Sequence, residues 1–216
     1  MSYYYYGNEN RRGGFLSQLP PVTKNLVIIN VIIFVATLIN ENFMIGTFAL
    51  FYPTSPYFHW WQVVTHMFMH GGFWHIFFNM YTLYIFGSVV ERMIGSKTFT
   101  VFYVICAIGA AATHMVMMTL LRGFANPMLG ASGAVYGVML AYAMLFPDSH
   151  LTLLFPPITL SAKWMVIVFA VIEAVTGVTG TIEGIAHFAH LGGMLFGFLL
   201  MLFWKRSGKL FDRDNF

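Results

Sequence analysis

Long runs of apolar residues set the strongest limit on what this sequence can fold into. The first of them, Pro21–Ile39, contains a single charged side chain, that of Lys24. A helix needs about 20 apolar residues to cross the hydrocarbon core of a bilayer, and only helices and closed barrels satisfy every backbone N–H and C=O group there. Charged residues make up 9% of the chain, against about 25% in a soluble domain. We therefore predict an all-α polytopic membrane protein.

Six such runs predict a bundle of six transmembrane helices. Their expected bounds are 21–39, 73–90, 99–121, 130–146, 160–178 and 185–204. Around this core, 21–204, we expect cytoplasmic tails at 1–20 and 205–216. The connection at about 40–72 is the longest, and its many Phe, Tyr and Trp residues are typical of a segment at the membrane–water interface.

The basic residues predict the orientation of the bundle. With six spans, ten of the eleven Lys and Arg residues fall on one side of the membrane and only Arg122 on the other. Basic residues concentrate on the cytoplasmic side, so we expect a multi-pass protein of the plasma or inner membrane with both termini in the cytoplasm. The first ten residues lack the basic and then apolar order of a cleaved signal peptide. The ten are Arg11, Arg12, Lys24, Arg92, Lys97, Lys163, Lys205, Arg206, Lys209 and Arg213.

Four polar residues should lie at a similar depth in the outer half of this bundle. Spans two, four and six all enter from the outer side, and near their starts stand His75 with Asn79, Ser132, and His190. Polar side chains at such depth are costly and tend to face a bundle interior or a cavity. Span four is also short, since its roughly 17 residues give about 25 Å against a core of about 30 Å. Ser132 should therefore be recessed beside water.

These residue types suit acyl transfer. A serine hydroxyl becomes a nucleophile when a neutral histidine takes its proton, and the pairs Gly133/Gly137 and Gly193/Gly197 would let two helices approach closely enough for this. The oxyanion would receive hydrogen bonds from the Ser132 backbone N–H, Asn79 and His75. We assign Glu173 to the inner or middle part of span five, which leaves no carboxylate to orient His190. A Ser-His dyad is the expectation, with the Tyr136 ring packed on the imidazole.

The motifs that carry these residues resemble those of the rhomboid intramembrane serine proteases. They are W-W-Q-V-V-T-H-M-F-M-H-G-G-F-W-H-I-F-F-N, V-V-E-R-M-I-G-S, G-A-S-G-A-V-Y-G and A-H-F-A-H-L-G-G-M-L-F-G, in that order. The resemblance, to the six-span bacterial type, implies that Ser132 is the nucleophile and His190 the base, that His75 and Asn79 assist the oxyanion, and that Tyr136 packs on His190. Gly130 and Gly133 support the serine.

One departure from the family pattern concerns the first loop. Many members carry Trp-Arg where this chain has Trp61-Gln62. This leaves open how the loop is anchored, whereas the catalytic residues are unaffected.

Simpler interpretations stand beside the catalytic one. A lone G-x-S-G is more often a helix contact than a nucleophile. His66 and His70 are expected to hold the first loop by hydrogen bonds, His59 and His150 to be loop residues, and His114 to be a partnered interior group. Glu173 is a functional candidate without a named partner.

Two other functions remain open. Eight histidines, with H-x-x-x-H at 66–70 and H-x-x-H at 187–190, are compatible with a histidine-box membrane metalloenzyme of the desaturase or hydroxylase kind. A non-catalytic rhomboid-like protein that binds membrane clients is the other. Labelling by a fluorophosphonate that is lost in Ser132→Ala separates the protease from the metalloenzyme. Client-binding relatives lack the serine or the histidine, whereas this chain keeps both.

The resemblance implies an endopeptidase that cleaves single-span membrane proteins near their extracytoplasmic end. It implies no metal and no cofactor. A net charge of +3, scattered along the chain, gives no reason to expect a nucleic-acid partner, and the oligomeric state cannot be read from the sequence.

Overall fold

The structure is a computed structural model that describes residues 15–121, 127–153, 157–180 and 186–208. Most of both predicted tails, and the predicted position of Arg122 on the opposite side, lie outside the described residues. The helices are α1 Pro21–Ile39, α2 Glu41–Phe48, α3 Gln62–Thr65, α4 Phe73–Thr82, α5 Ser88–Ile94, α6 Ser96–Leu121, α7 Ser132–Leu145, α8 Ala162–Thr179 and α9 His187–Arg206.

Five helices of the described chain are long and apolar enough to cross a membrane. They are Pro21–Ile39, Phe73–Ile94, Ser96–Leu121, Ala162–Thr179 and His187–Arg206. Their bounds agree with the predicted runs within a few residues, because the mean hydropathy of a window of about 19 residues identifies a membrane-spanning helix. The predicted fourth span is the shorter α7, of 14 residues, which measures about 21 Å along its axis.

Large apolar side chains cover the outside of the bundle. Ile39 is 81% exposed, Val178 78% and Leu120 70%, and they lie on α1, α8 and α6. An apolar surface of this extent would cause aggregation in water, whereas in a bilayer it contacts acyl chains. The polar side chains are, by contrast, drawn to the inside, where Asn79, Glu91, Glu173, His187 and His190 are all buried.

Small residues bring α6, α7 and α9 into close contact. A Cβ atom on Gly193 of α9 would overlap the backbone of Gly133 on α7, and one on Gly137 would lie 2.6 Å from Cys106 Sγ on α6. The predicted glycine faces therefore do meet. Because membrane helices associate through such close packing, this contact fixes α9 against α7 next to Ser132.

The second predicted span changes its winding near the middle. Between α4 and α5 the chain forms a π-helical segment, Leu83–Gly87, and the helix as a whole runs on to Ile94. Glu91 near its end is 1% exposed and accepts hydrogen bonds from the backbone N–H groups of Val22 at 2.9 Å and Thr23 at 2.7 Å. A carboxylate of one helix thus caps the N-terminus of α1.

A short hairpin that the sequence did not predict follows α7. Strand β1, His150–Thr152, pairs antiparallel with β2, Thr159–Ser161, with His150 opposite Ser161. His150, expected in a loop, is therefore a strand residue. Strands of three residues are too short for an alternating pattern to reveal them.

The first loop, at about 40–72, is folded and contacts the residues just before α7. Gln62 of α3 is fully buried; its Oε1 accepts from the backbone N–H of His59 at 3.1 Å, and its Nε2 donates to the Tyr57 carbonyl at 2.9 Å. This side chain anchors the loop at the position where many members of the family that the sequence resembles carry arginine. An isolated antiparallel β-bridge joins Leu50 to Met128. The backbone N–H of each residue donates to the carbonyl oxygen of the other at 2.8 Å.

Candidate active site

Ser132 is the first residue of α7 and is partly exposed. The first N–H groups of a helix have no acceptor one turn earlier, and the helix dipole makes this end positive. A serine in this position offers its hydroxyl for attack and its own N–H for the oxyanion that results.

His190 of α9 lies within hydrogen-bond distance of this serine. Its Nε2 is 2.8 Å from Ser132 Oγ, although 58 residues separate the two in sequence. The imidazole is 7% exposed, which keeps competing water away from most of the ring. The structure thus brings together the two residues on which the sequence-based mechanism depends.

Tyr136 packs flat against the same imidazole. The ring centroids of Tyr136 and His190 are 4.3 Å apart, with 3° between the planes. Because Tyr136 lies one helical turn after Ser132, α7 supplies both the serine and one wall of the pocket that holds His190. This is the packing that the sequence led us to expect.

The prediction that His190 has no carboxylate beside it was wrong, and the carboxylate in question is that of Glu173. Glu173 is the twelfth of the 18 residues of α8, so it lies about 9 Å from the end of that helix near α9 and the Ser132 pocket. Its Oε1 is 3.0 Å from His190 Nδ1 and accepts a 2.5 Å hydrogen bond from the Tyr136 hydroxyl. A carboxylate therefore does stand behind His190, and the site is not a bare dyad.

The other carboxylate oxygen of Glu173 contacts His187. Glu173 Oε2 is 2.6 Å from His187 Nδ1, and Thr176 Oγ1 lies 3.1 Å from the same nitrogen. His187 is one turn before His190 on α9 but is directed toward α8 rather than toward Ser132. The geometry thus distinguishes the two neighbouring histidines, and His190 is the one that reaches the serine.

His75 lies near the serine, beside Gly130. A Cβ atom on Gly130 would be 2.8 Å from His75 Nε2 and 3.5 Å from Ser132 Oγ, so the ring of His75 and the serine hydroxyl are close neighbours. Asn79 is buried and donates from Nδ2 to the His75 carbonyl at 2.9 Å. An amide NH₂ has two donors, which leaves one N–H of Asn79 for a ligand.

The remaining histidines only partly follow expectation. His66 Nδ1 donates to the Gln62 carbonyl at 2.9 Å, and the His66 carbonyl accepts from the Gly130 N–H at 3.0 Å, so His66 does hold the loop. Neither ring nitrogen of His70 has a hydrogen-bond partner within the described chain, and the same is true of His114 Nδ1. The hydrogen-bonded roles predicted for His70 and His114 are therefore not seen.

One cluster within the described ranges has the composition of a metal site. Glu173, His187 and His190 present ligand atoms that all lie within 4.8 Å of one another. Two ligands of a tetrahedral zinc ion, each about 2.0–2.1 Å from the metal, are roughly 3.3 Å apart. The 2.6 Å between Glu173 Oε2 and His187 Nδ1 is shorter than this and fits a direct hydrogen bond.

Comparison with known proteins identifies the family. The family model for the Rhomboid domain matches residues 57–207. The chain is 31% identical over 139 residues to the mitochondrial Rhomboid protein 1 of Saccharomyces cerevisiae, covering 64% of this chain and 40% of that protein. It is 30% identical to Rhomboid-type serine protease 2 of Emericella nidulans, over 68% of this chain and 27% of that one. It is 26% identical to Rhomboid protease GlpG of Yersinia pestis, over 87% and 64%.

These matches cover most of this chain but only about a quarter to two thirds of each relative's length. The match to the Rhomboid domain, 57–207, includes the segments that carry His75, Ser132 and His190. These matches do not favour the histidine-box metalloenzymes. With its apolar helices and its serine–histidine pair, the chain is an all-α polytopic membrane protein that belongs to the rhomboid family.

Proposed function

We propose that this protein is an intramembrane serine endopeptidase whose nucleophile is Ser132. The observation that carries the proposal is the 2.8 Å between Ser132 Oγ and His190 Nε2, inside a bundle whose outer surface is apolar. A hydroxyl that donates to a neutral imidazole can attack a carbonyl carbon as its proton moves to Nε2. The relatives named as proteases support the same activity.

The expected reaction has two halves. Ser132 Oγ forms a bond to the scissile carbonyl carbon, His190 Nε2 takes the serine proton, and the carbonyl oxygen becomes an oxyanion. The backbone N–H of Ser132, the ring of His75 and the free N–H of Asn79 are the donors for that oxygen. When the peptide C–N bond breaks, His190 returns the proton to the leaving amine, and water then hydrolyses the acyl-enzyme with His190 again as base.

We propose single-span membrane proteins as substrates, cleaved near their extracytoplasmic end. The apolar exterior of the bundle and the position of Ser132 at a helix terminus, rather than in the middle of a span, support this choice. A substrate helix must unwind locally before a peptide bond can enter the site. Entry from the side, between the second span and α8, is the route that family resemblance implies.

The test compares purified wild type with Ser132→Ala and His190→Ala on a model transmembrane substrate. Both variants should lose cleavage to below detection, because removal of the nucleophile of a serine protease costs on the order of 10⁶-fold in kcat. A fluorophosphonate should label wild type and fail to label Ser132→Ala. Equal cleavage by wild type and Ser132→Ala would end the proposal, and substrate capture without any cleavage would assign the protein to the client-binding members instead.

A further inference from the structure

We propose that Glu173 is a positioning residue for His190, so that the site operates as Ser132–His190–Glu173. This inference rests on the proposed function and deepens it. It depends on a chain of contacts across three helices, from Ser132 on α7 to His190 on α9 and on to Glu173 on α8.

The first step is the tautomer of His190. To accept the serine proton, Nε2 must be unprotonated, so the proton of the neutral ring must be on Nδ1. Glu173 Oε1 is 3.0 Å from that Nδ1, and a carboxylate in this place favours the required tautomer over the other. The ring N–H does not point straight along this contact, so in the substrate-free state the contact is mainly one of charge. Catalytic hydrogen bonds commonly tighten when substrate is bound.

The second step is that the carboxylate is itself held in place. The Tyr136 hydroxyl donates to Oε1 at 2.5 Å, and His187 Nδ1 lies 2.6 Å from Oε2. Both oxygens are engaged, and the side chain is buried. A carboxylate within a membrane helix is costly, and the hydrogen bonds from Tyr136 and His187 offset much of that cost.

The third step is the charge that appears during the reaction. As Ser132 Oγ bonds to the substrate carbon, its proton moves to Nε2 and the His190 ring becomes a cation. Glu173 then faces that cation at close range in a site with little water, where electrostatic stabilisation is stronger than in solution. The phenol ring of Tyr136 could orient the imidazole but carries no charge to supply this stabilisation.

The competing interpretation is that Glu173 only ties α8 to the bundle. In that case its loss would lower the fraction of folded molecules but would leave each folded molecule fully active. The rate of fluorophosphonate labelling at Ser132 distinguishes the two, since it reports nucleophile activation per molecule, whereas the final labelling stoichiometry reports the folded fraction.

The decisive variant is Glu173→Gln, which keeps the shape and an acceptor oxygen but removes the charge. We expect kcat to fall on the order of 10²-fold, less than the roughly 10⁴-fold seen when the acidic member of a serine-protease triad is neutralised, because this contact is less well aligned. KM should change less than about threefold, and the labelling rate should fall in parallel with kcat. Glu173→Asp should recover part of the rate.

Asp148→Asn serves as the matched control. Asp148 is an exposed carboxylate paired with Lys163 at 2.6 Å, so its neutralisation should leave both rates unchanged. If Glu173→Gln does not fold, Tyr136→Phe keeps the ring against His190 and removes only the hydroxyl that orients Glu173. It should lower the labelling rate about tenfold if the carboxylate must be oriented.

Three outcomes would overturn the proposal. One is a folded Glu173→Gln whose kcat and labelling rate lie within threefold of wild type. Another is reduced labelling stoichiometry at an unchanged rate. The third is activity that is lost on chelation and restored by zinc, which would assign Glu173, His187 and His190 to a metal. Cleavage by Ser132→Ala would instead remove the proposed function itself.

Discussion

At the scale of single residues, Gly130 has the most demanding backbone of the site. Its φ is +128°, a conformation that L-residues with a side chain rarely adopt. Its N–H is bound to the His66 carbonyl, and His75 occupies the space where a Cβ atom would lie. One glycine thus connects the first loop, the predicted oxyanion donor and the serine.

We expect Gly130→Ala to reduce kcat/KM at least tenfold. The strained backbone costs about 1–3 kcal/mol, and relief of the clash would move His75 or Ser132 out of place. Gly46→Ala is the control, because nothing lies within 4 Å of its added methyl group and alanine suits the α2 helix. Steady-state cleavage assays on both variants would show the difference, and wild-type activity in Gly130→Ala would contradict this account of the loop.

Two buried histidines of the first loop should make the protein sensitive to acid. Burial lowers the pKa of His66 to about 4. Burial, with a smaller effect of His75, lowers the pKa of His70 to about 3. In the unfolded chain both histidines titrate near 6.5, so between about pH 6.5 and 4 the unfolded state binds protons that the folded state does not.

Stability should therefore fall as the pH drops through that window, by up to about 1.4 kcal/mol per pH unit for each histidine. Thermal unfolding in detergent from pH 7.5 to 4.5 would measure this. His66→Gln should flatten the slope by about the contribution of one proton. A thermal unfolding midpoint that does not change between pH 7.5 and 4.5 would show that neither imidazole ring resists protonation in the folded state.

The proximity of Ser132 to His190 could be predicted from the sequence, while the contact between Glu173 and His190 could not. Depth along a helix follows from counting residues, and it placed the serine and the histidine at one level. The direction in which Glu173 points around the axis of α8 depends on how α8 packs against α9, which an almost uniformly apolar helix does not reveal. The only indication in the sequence that Glu173 has a special place was that it is a carboxylate within an apolar run.

At the scale of elements, Glu91 joins the second span to the first. Its carboxylate caps α1 through the backbone N–H groups of Val22 and Thr23 and also accepts a 2.7 Å hydrogen bond from Ser96 Oγ. A negative charge at a helix N-terminus is favourable. Pro20, the N-cap residue of α1, makes no side-chain hydrogen bond to the first turn of that helix. The contact with Glu91 therefore replaces a local N-cap.

We expect Glu91→Leu to lower the free energy of unfolding by about 3 kcal/mol, because it leaves one buried and two partly buried donors without this acceptor. Glu91→Gln should have a smaller effect, since its amide keeps one acceptor oxygen. Urea or thermal unfolding of purified protein would measure both changes. A loss no larger than that of the surface variant Asp148→Asn would mean that water replaces the carboxylate.

The elements that the sequence did not predict share a physical cause. The π-helical segment Leu83–Gly87 and the hairpin His150–Thr152 with Thr159–Ser161 are each set by contacts with other parts of the chain. Hydropathy defines the length of a span to within a turn, but it carries little information on local winding or on strands of three residues. The glycine contact between α7 and α9 was predictable because small residues recur at helical spacing.

At the scale of the whole molecule, the positions of the basic residues predict how the protein is oriented in the membrane. α9 ends with Lys205 and Arg206 in its last turn, and the predicted orientation places this end in the cytoplasm. A C-terminal fusion to green fluorescent protein should be fluorescent in bacteria, while a fusion to alkaline phosphatase should be inactive. The reverse result would invert the proposed orientation and move the Ser132 site to the cytoplasmic side.

The shortness of α7 makes lipid chain length a determinant of activity. About 21 Å of helix faces a hydrocarbon core of about 30 Å, and such hydrophobic mismatch is relieved by thinning the bilayer around the protein. In vesicles whose lipids lengthen stepwise from 14 to about 22 carbons, thinning becomes harder and acyl chains close over the entrance to Ser132. Turnover should then decline with bilayer thickness, so the composition of the host membrane would itself adjust the rate.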